Sequence, residues 1–183
     1  MPTILPLSAV GPALVEDLLD AAFGSDRHGR TAYRIREGME WLPGLSFAAL
    51  DEDDYLTGTI QLWPIALTDG EGRAHPLLMV GPVAVMPGRQ GEGFGKALIA
   101  TALGAIDELS RGGTRLPQML IGDLDYYGQW GFSAAHTGGW RCPGPGDPAR
   151  LLARADNPAV LPREGMLGPW TASANLAPRP DAL

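Results

Sequence analysis

The feature that most constrains the fold of this chain is an apolar run that leads through a glycine-rich turn into a helical pattern. Residues 76–86 are almost all apolar, the pattern of a strand buried on both faces of a sheet. From Phe94 to Ile106 apolar residues recur at the spacing of a helix face, and Gly112-Gly113 ends that helix. Residues 117–121 then form another strand. This order predicts a right-handed strand–helix–strand crossover, which places two parallel strands in one sheet.

The rest of the chain predicts further strands before and after this crossover. Alternation, helical spacing and turn residues predict the following elements. Strands are expected at 3–7, 45–50, 55–67, 134–141 and 159–167, and helices at 14–23, 31–41, 93–110 and 126–130. The fold class is therefore α/β, with a mixed (α+β) sheet that begins with antiparallel strands. Without an internal repeat or linker, we expect one domain over 1–171 and a flexible C-terminal tail over 172–183.

Composition excludes several classes of protein. The chain has 183 residues, 45% of them hydrophobic, which is enough for a core. Its net charge of −7 argues against nucleic-acid binding. No apolar run approaches the roughly 20 residues that cross a bilayer, and no basic segment precedes an apolar one at the N-terminus. We therefore expect a cytoplasmic protein without membrane contact.

No metal site or disulfide is predicted. Cys142 is the single cysteine, so no internal disulfide forms, and its thiol is interpreted as a small apolar group rather than a reactive one. The three histidines show no ligand spacing. The acidic run Asp51–Asp54 is interpreted as a solvated turn, with cation binding as the alternative.

The glycine turn suits an anion. Gly91, Gly93 and Gly95 lack side chains that would obstruct the backbone, so the amides of residues 91–96 can converge on a bound pyrophosphate. The alternative is a turn that is only structural. A P-loop is excluded, because Gln90 stands where that motif has glycine and Ala97 where it has Ser or Thr. The dinucleotide spacing Gly-x-Gly-x-x-Gly is also absent here.

Two motifs resemble the GCN5-related acetyltransferases. Gln90, Gly93 and Gly95 fill the fixed places of that family's signature, Gln/Arg-x-x-Gly-x-Gly/Ala. Residues 122–132 are similar to its Tyr-Tyr-x-x-x-Gly-Phe segment, and the closest likeness is to the YhbS-like subgroup. Gly81-Pro82 stands in what looks like the family's fourth strand.

The resemblance implies an acyl-CoA N-acyltransferase fold with splayed fourth and fifth strands and acetyl-CoA as the acyl donor. It implies that the pantetheine arm lies along the backbone of Val83, Ala84 and Val85. The implied pyrophosphate-binding residues are Gln90, Gly91, Glu92, Gly93, Phe94, Gly95 and Lys96. Tyr127 takes the place of the family's tyrosine acid, which assists the departing thiolate; the alternative is a packing residue.

The acceptor is implied only as a class. Direct attack on the thioester by a primary amine of a small molecule, peptide or protein is expected, with a non-catalytic acyl-CoA-binding module or a purely structural interaction protein as alternatives. Residues 77–85 contain no acid or histidine to act as base. The open choices for the base are His28, Glu40, Asp123, Asp125 and water. Acceptor-side candidates, by position, are Arg27, Arg30, Arg34, Arg36 and Trp41. A homodimer is left open.

Overall fold

The computed structural model describes residues 1–171, so the expected tail over 172–183 lies outside the described residues. The strands are β1 (Thr3–Pro6), β2 (Phe47–Leu50), β3 (Leu56–Thr68), β4 (Ala74–Val85), β5 (Gln118–Ile121), β6 (Gly139–Arg141), β7 (Leu151–Arg154) and β8 (Glu164–Pro169). The α-helices are α1 (Pro12–Phe23), α2 (Thr31–Ile35), α3 (Phe94–Leu109) and α4 (Leu124–Tyr127). No described helix is both long and apolar enough to cross a bilayer.

The strands form a mixed sheet. Their hydrogen-bonded order is β1-β2-β3-β4-β5-β7, and β8 pairs with both β3 and β6. The β1–β2, β2–β3, β3–β8 and β5–β7 pairs are antiparallel, whereas β6–β8 is parallel. This architecture confirms the predicted α/β class with a mixed sheet and flanking helices.

The described residues divide into two compact units, each built from separate chain segments. The first unit comprises Met1–Arg30, Glu40–Trp63 and Met79–Arg115. The second comprises Thr31–Met39, Pro64–Leu78 and the described residues from Leu116 onward. Strands β3 and β4 each contribute residues to both units.

In the first unit, α1 buries one face in an apolar cluster. Val15, Leu18 and Leu19 recur at helical spacing and pack with Leu7 and Ala48. Pro12 begins the helix, where its missing N–H costs no intrahelical bond. The helix ends at Gly24, whose φ of 92° is available to glycine without steric cost.

Helix α3 approaches β3 closely, also within the first unit. A Cβ on Gly58 would lie 3.0 Å from Leu98 Cδ1 and 3.1 Å from the Ala84 carbonyl oxygen. A side chain at this position in β3 would force these neighbours to shift by a few tenths of an ångström. Leu98 and Ile99 on α3 are completely buried.

In the second unit, β5 pairs with β7 from Gln118 opposite Arg154 to Ile121 opposite Leu151. The Leu78 amide donates to the Pro117 carbonyl (2.9 Å), which ties β4 to the residue before β5. Helix α2 contacts β8.

Several predicted elements were wrong in extent. Helix α2 spans Thr31–Ile35 instead of 31–41, because the chain turns at Gly38, which has a φ of 75°. Only Gly139–Arg141 of the expected strand 134–141 is a strand. Asn157 caps a 3-10 turn over Pro158–Val160, so the last strand begins at Glu164 rather than at 159. Strand β7 was not predicted.

Candidate functional site

The link between β4 and α3 contains the glycine turn. Gly88, Gly91 and Gly93 have φ values of 86°, 83° and 93°, a region that favours glycine. A Cβ built on Gly91 or on Gly93 would meet no atom within 4 Å. The backbone of the turn therefore borders open space in the direction that a Cβ of Gly91 or Gly93 would take.

Helix α3 begins directly behind this turn. Gly93 is its N-cap, no side chain caps the helix, and its first turn contains no acidic residue. The Ala97 amide bonds to the Gly93 carbonyl (3.0 Å), so the amides of Phe94, Gly95 and Lys96 have no carbonyl of the helix four residues before them. Such an end carries positive potential and suits a phosphate or another anion.

The last residues of β4 adjoin this link. Ala84 is buried, whereas Val83 and Val85 are half-buried. The Met86 amide donates to the Thr57 carbonyl (2.8 Å), which holds the end of β4 against β3.

Burial varies along the predicted anion-binding segment, residues 90–96. The Phe94 side chain is buried, so of this residue only the backbone can face a ligand. Gln90, Glu92 and Lys96 are exposed, and Gly95 is half-buried.

Arg89 links the glycine turn to the β2–β3 turn. Its Nη1 donates to Asp51 Oδ2 (2.9 Å) and its Nε to Glu92 Oε2 (2.7 Å). Its guanidinium carbon lies 5.2 Å from the centre of the Phe94 ring. These bonds to Arg89 lower the pKa of Asp51, and the two carboxylates raise the pKa of Arg89.

The acidic run that contains Asp51 is a turn. Asp51 Oδ1 accepts hydrogen bonds from the amides of Asp53 (2.9 Å) and Tyr55 (3.0 Å). Its other oxygen binds Arg89. The contact between Asp51 and Arg89 was not predicted, because the two residues are 38 positions apart and no local pattern signals it.

Tyr127 lies at the end of α4 among aromatic side chains. Its ring centre lies 4.9 Å from that of Tyr126 and 6.4 Å from that of Phe132, both in edge-to-face arrangements. Burial, and secondarily Tyr126, raises the pKa of Tyr127 to about 12, with Arg150 opposing. The phenol is therefore neutral across the physiological range.

Gly122 makes room for this ring. A Cβ on Gly122 would overlap Tyr127 Cε2 and lie 2.7 Å from Cδ2. Gly122 is the first residue of the second motif, and no role was predicted for it. The signal was its position one residue after β5.

The proposed bases are ordinary surface groups. His28, Glu40 and Asp125 are exposed, and exposed Asp123 accepts a hydrogen bond from Arg150 Nε (3.2 Å). Within residues 1–171 no three His, Cys, Asp or Glu side chains form a group that could hold a metal ion.

The arginines expected near the acceptor have structural contacts. Arg27 is buried and ion-pairs with Glu16 and, at 2.8 Å, with Asp20. The other contacts are Arg30 to the Phe23 carbonyl (2.8 Å), Arg34 to the Pro143 carbonyl (3.2 Å) and Arg36 on the Tyr33 ring (4.1 Å). Trp41 packs against the α1 cluster.

Residues 11–132 match the sequence model of the acetyltransferase (GNAT) family. This segment includes both motifs of the sequence analysis. No curated protein matches the chain.

Two acetyltransferases are among the solved structures that are similar to the chain. One is a GNAT family N-acetyltransferase (YhbS) from Escherichia coli in complex with CoA, at a TM-score of 0.67 and 22% identity, covering 92% of this chain and 89% of that one. The other is a GNAT family acetyltransferase from Brucella melitensis in complex with acetyl-CoA, at a TM-score of 0.62 and 26% identity, covering 94% of this chain and 97% of that one.

Proposed function

The chain belongs to the acetyltransferase (GNAT) family, and on that premise we propose that it transfers an acetyl group from acetyl-CoA to a primary amine. The chain is an acyltransferase, and acetyl-CoA is its acyl donor. The main support for the proposed donor site is the N-terminus of α3, which has no side-chain cap and follows an open glycine turn. The acceptor is a small molecule, peptide or protein whose identity the site does not specify.

The chemistry of the turn fits the pyrophosphate of acetyl-CoA. Two linked phosphates can accept hydrogen bonds from several converging amides, and we assign this role to the backbone of residues 90–96. The open side of Gly91 and Gly93 leaves space for the phosphates. The similar structures from E. coli and B. melitensis hold CoA and acetyl-CoA, which supports the assignment.

We assign the pantetheine arm to the backbone of Val83, Ala84 and Val85. An extended amide chain can hydrogen-bond to the edge of a strand as an added strand does. The backbone N–H groups of this segment would also polarise the thioester carbonyl, where negative charge develops as the amine attacks. A splay between β4 and β5 belongs to this proposal.

The acceptor amine then attacks the thioester carbonyl carbon directly. The new C–N bond forms, the C–S bond breaks with its electron pair on sulfur, and the amine nitrogen loses one proton. Water or one of the exposed side chains His28, Glu40, Asp123 and Asp125 receives that proton in this proposal.

Tyr127 is assigned to the departing sulfur. With a pKa of about 12 for the phenol and about 8.5 for a free thiol, complete proton transfer to the thiolate is uphill. A hydrogen bond from the neutral phenol to the developing negative charge requires no such transfer. We therefore propose that Tyr127 stabilises the leaving group as a hydrogen-bond donor.

Residues 1–171 are proposed to work as one acetyltransferase domain. The family match at 11–132 includes segments of both compact units, which supports this reading. A cytoplasmic location is proposed with it, since a single cysteine provides no disulfide framework of the kind that secreted domains use.

The donor site is tested by Gly93→Val. Valine adds a Cβ on the open side and strongly disfavours a φ of 93°, so acetyl-CoA affinity measured by calorimetry should fall at least about tenfold. Gly112→Val is the matched control, because Gly112 has a φ of 78° but lies beyond the other end of α3. Unchanged affinity in folded Gly93→Val protein would refute the proposed donor site.

Turnover is tested separately by CoA release with a panel of amines. Release that depends on both acetyl-CoA and an amine supports the transferase. Tight acetyl-CoA binding without release for any amine would instead indicate a non-catalytic binding module.

A further inference from the structure

The glycine turn carries an acidic side chain where the proposed ligand is an anion. Glu92 stands between Gly91 and Gly93, in the part of the turn assigned to the pyrophosphate. Two like charges a few ångströms apart at a protein surface repel each other. A bare carboxylate at this position would therefore weaken the binding of a pyrophosphate.

Arg89 forms an ion pair with the carboxylate of Glu92. Its Nε bonds to Glu92, and the same guanidinium reaches across to Asp51 through Nη1. The side chain of Asp51 is 12% exposed and also caps the β2–β3 turn, so it gives Arg89 a fixed point of attachment. The Phe94 ring lies beneath the guanidinium.

Two carboxylates and an aromatic ring orient the guanidinium of Arg89. Both donors named above point to carboxylates, and the planar guanidinium is held between them and an aromatic ring. If Arg89 lost its charge, two carboxylates beside the anion site would lose their counter-charge together.

We propose that Arg89 is a positioning residue that neutralises Glu92 and Asp51 and so makes the glycine turn able to accept the pyrophosphate of acetyl-CoA. This inference rests on the proposed function, because it needs a pyrophosphate at the turn. It assigns the affinity of the donor site partly to a contact between two turns that are distant in the sequence.

The first measurement is acetyl-CoA affinity by calorimetry in wild type and Arg89→Met. Methionine keeps an unbranched side chain but removes the charge. We expect affinity to fall about tenfold at low ionic strength and the difference to shrink in 0.5 M salt, where charges are screened within roughly 4 Å. S-acetylpantetheine, which lacks the pyrophosphate, should bind both proteins equally.

The second measurement separates charge from shape. In Arg89→Met/Glu92→Gln one of the two uncovered carboxylates is gone and Asp51 remains, so acetyl-CoA affinity should recover part of the loss and lie between Arg89→Met and wild type. Arg89→Lys, which keeps the charge, should also stay within about threefold. If the double variant bound as weakly as Arg89→Met, the loss would come from the shape of the turn and the proposal would be overturned.

The melting temperature of Arg89→Met shows whether that variant folds. If it does not fold, the single variant Glu92→Gln provides the test instead. Removing the carboxylate while Arg89 remains should raise acetyl-CoA affinity, because the guanidinium then has one carboxylate fewer to neutralise. Clearly weaker binding in Glu92→Gln would contradict the proposal. Failure of wild type to bind acetyl-CoA would refute the proposed function itself, whereas normal binding by wild type and Arg89→Met alike would refute only the role of Arg89.

Discussion

Tyr126 and Tyr127 are adjacent, yet their surroundings give the two phenols different chemistry. Burial raises the pKa of both, but only for Tyr127 does the shift reach about 12. Gly122 admits the ring of Tyr127 closely against the end of β5. A side chain held this way is suited to present its hydroxyl in one direction.

The hydroxyl of Tyr127 is expected to matter for turnover and not for donor binding. Tyr127→Phe should lower kcat by about 10²-fold while leaving the acetyl-CoA dissociation constant unchanged. Steady-state kinetics and calorimetry measure the two quantities. Tyr126→Phe is the matched control and should keep wild-type kcat. A wild-type kcat in Tyr127→Phe, with chemistry rate-limiting, would remove Tyr127 from the mechanism.

The raised pKa of Tyr127 determines the pH above which its ionisation should lower activity. Activity should rise with pH as the acceptor amine becomes neutral, and no decline from Tyr127 should begin below roughly pH 11. Because the folded-state pKa lies above the usual value of about 10, the contribution of this group to stability is complete below pH 10 and is lost as pH rises toward 12. A pH–rate profile of wild type that fell near pH 9, absent in Tyr127→Phe, would contradict this.

The space at Gly122 provides an independent test of the position of Tyr127. Gly122→Ala forces the ring to move, so we expect a loss of about 1–3 kcal/mol in the free energy of unfolding and a kcat near that of Tyr127→Phe. Gly128→Ala is the control, since its Cβ would make only an ordinary 3.6 Å contact with Leu124. Full activity in folded Gly122→Ala protein would show that the ring position is not critical.

At the scale of elements, two glycines of the first unit should respond in opposite ways to alanine. Gly104 is exposed in α3 and its Cβ would meet nothing within 4 Å, so Gly104→Ala should stabilise the protein by about 0.5–1 kcal/mol. Gly58→Ala should destabilise it by about 1–3 kcal/mol, because the backbone oxygen of Ala84 cannot move away easily. Chemical denaturation measures both, and equal effects would contradict the described packing of α3 on β3.

Long elements were predictable from sequence because each carries its own signal. Helices α1 and α3 show a repeated apolar face, and the apolar run of β4 is nearly unbroken. Strand β7 is as short as β1, β2 and β5, which were predicted, but its first three residues are all buried and show no alternation, and its place is set by pairing with β5. The predicted range of α2 was too long, because the apolar spacing of this segment continues past Gly38, where the chain turns.

The features of the candidate site also differ in whether the sequence could predict them. The glycine turn could be found because its conformation depends on residues that are adjacent in the chain. The contact between Arg89 and Asp51, and the space that Gly122 leaves for Tyr127, depend on tertiary structure. Individual sequence patterns do not encode such contacts.

At the scale of the whole molecule, the net charge of −7 produces a negative field. Such a field favours the approach of cationic amines over acidic acceptors. Of the arginines expected near the acceptor, Arg27 is paired with the carboxylates of Glu16 and Asp20, which weakens the case for an acidic acceptor. An acceptor screen at low ionic strength should therefore favour polyamines and basic peptides. A preference for carboxylate-bearing aminoacyl substrates would contradict the charge argument.

The pairing of β3 with β8 has a consequence for the way the protein is made. Ile65 in β3 lies opposite Pro169 in β8. The end of β3 therefore cannot pair with β8 until about a hundred further residues have been synthesised. Until the ribosome has added that segment, part of the β3 edge is exposed to other nascent chains, and unpaired edges promote aggregation. The yield of native protein should therefore depend on translation rate and chaperone supply more strongly than the stability of the finished molecule suggests.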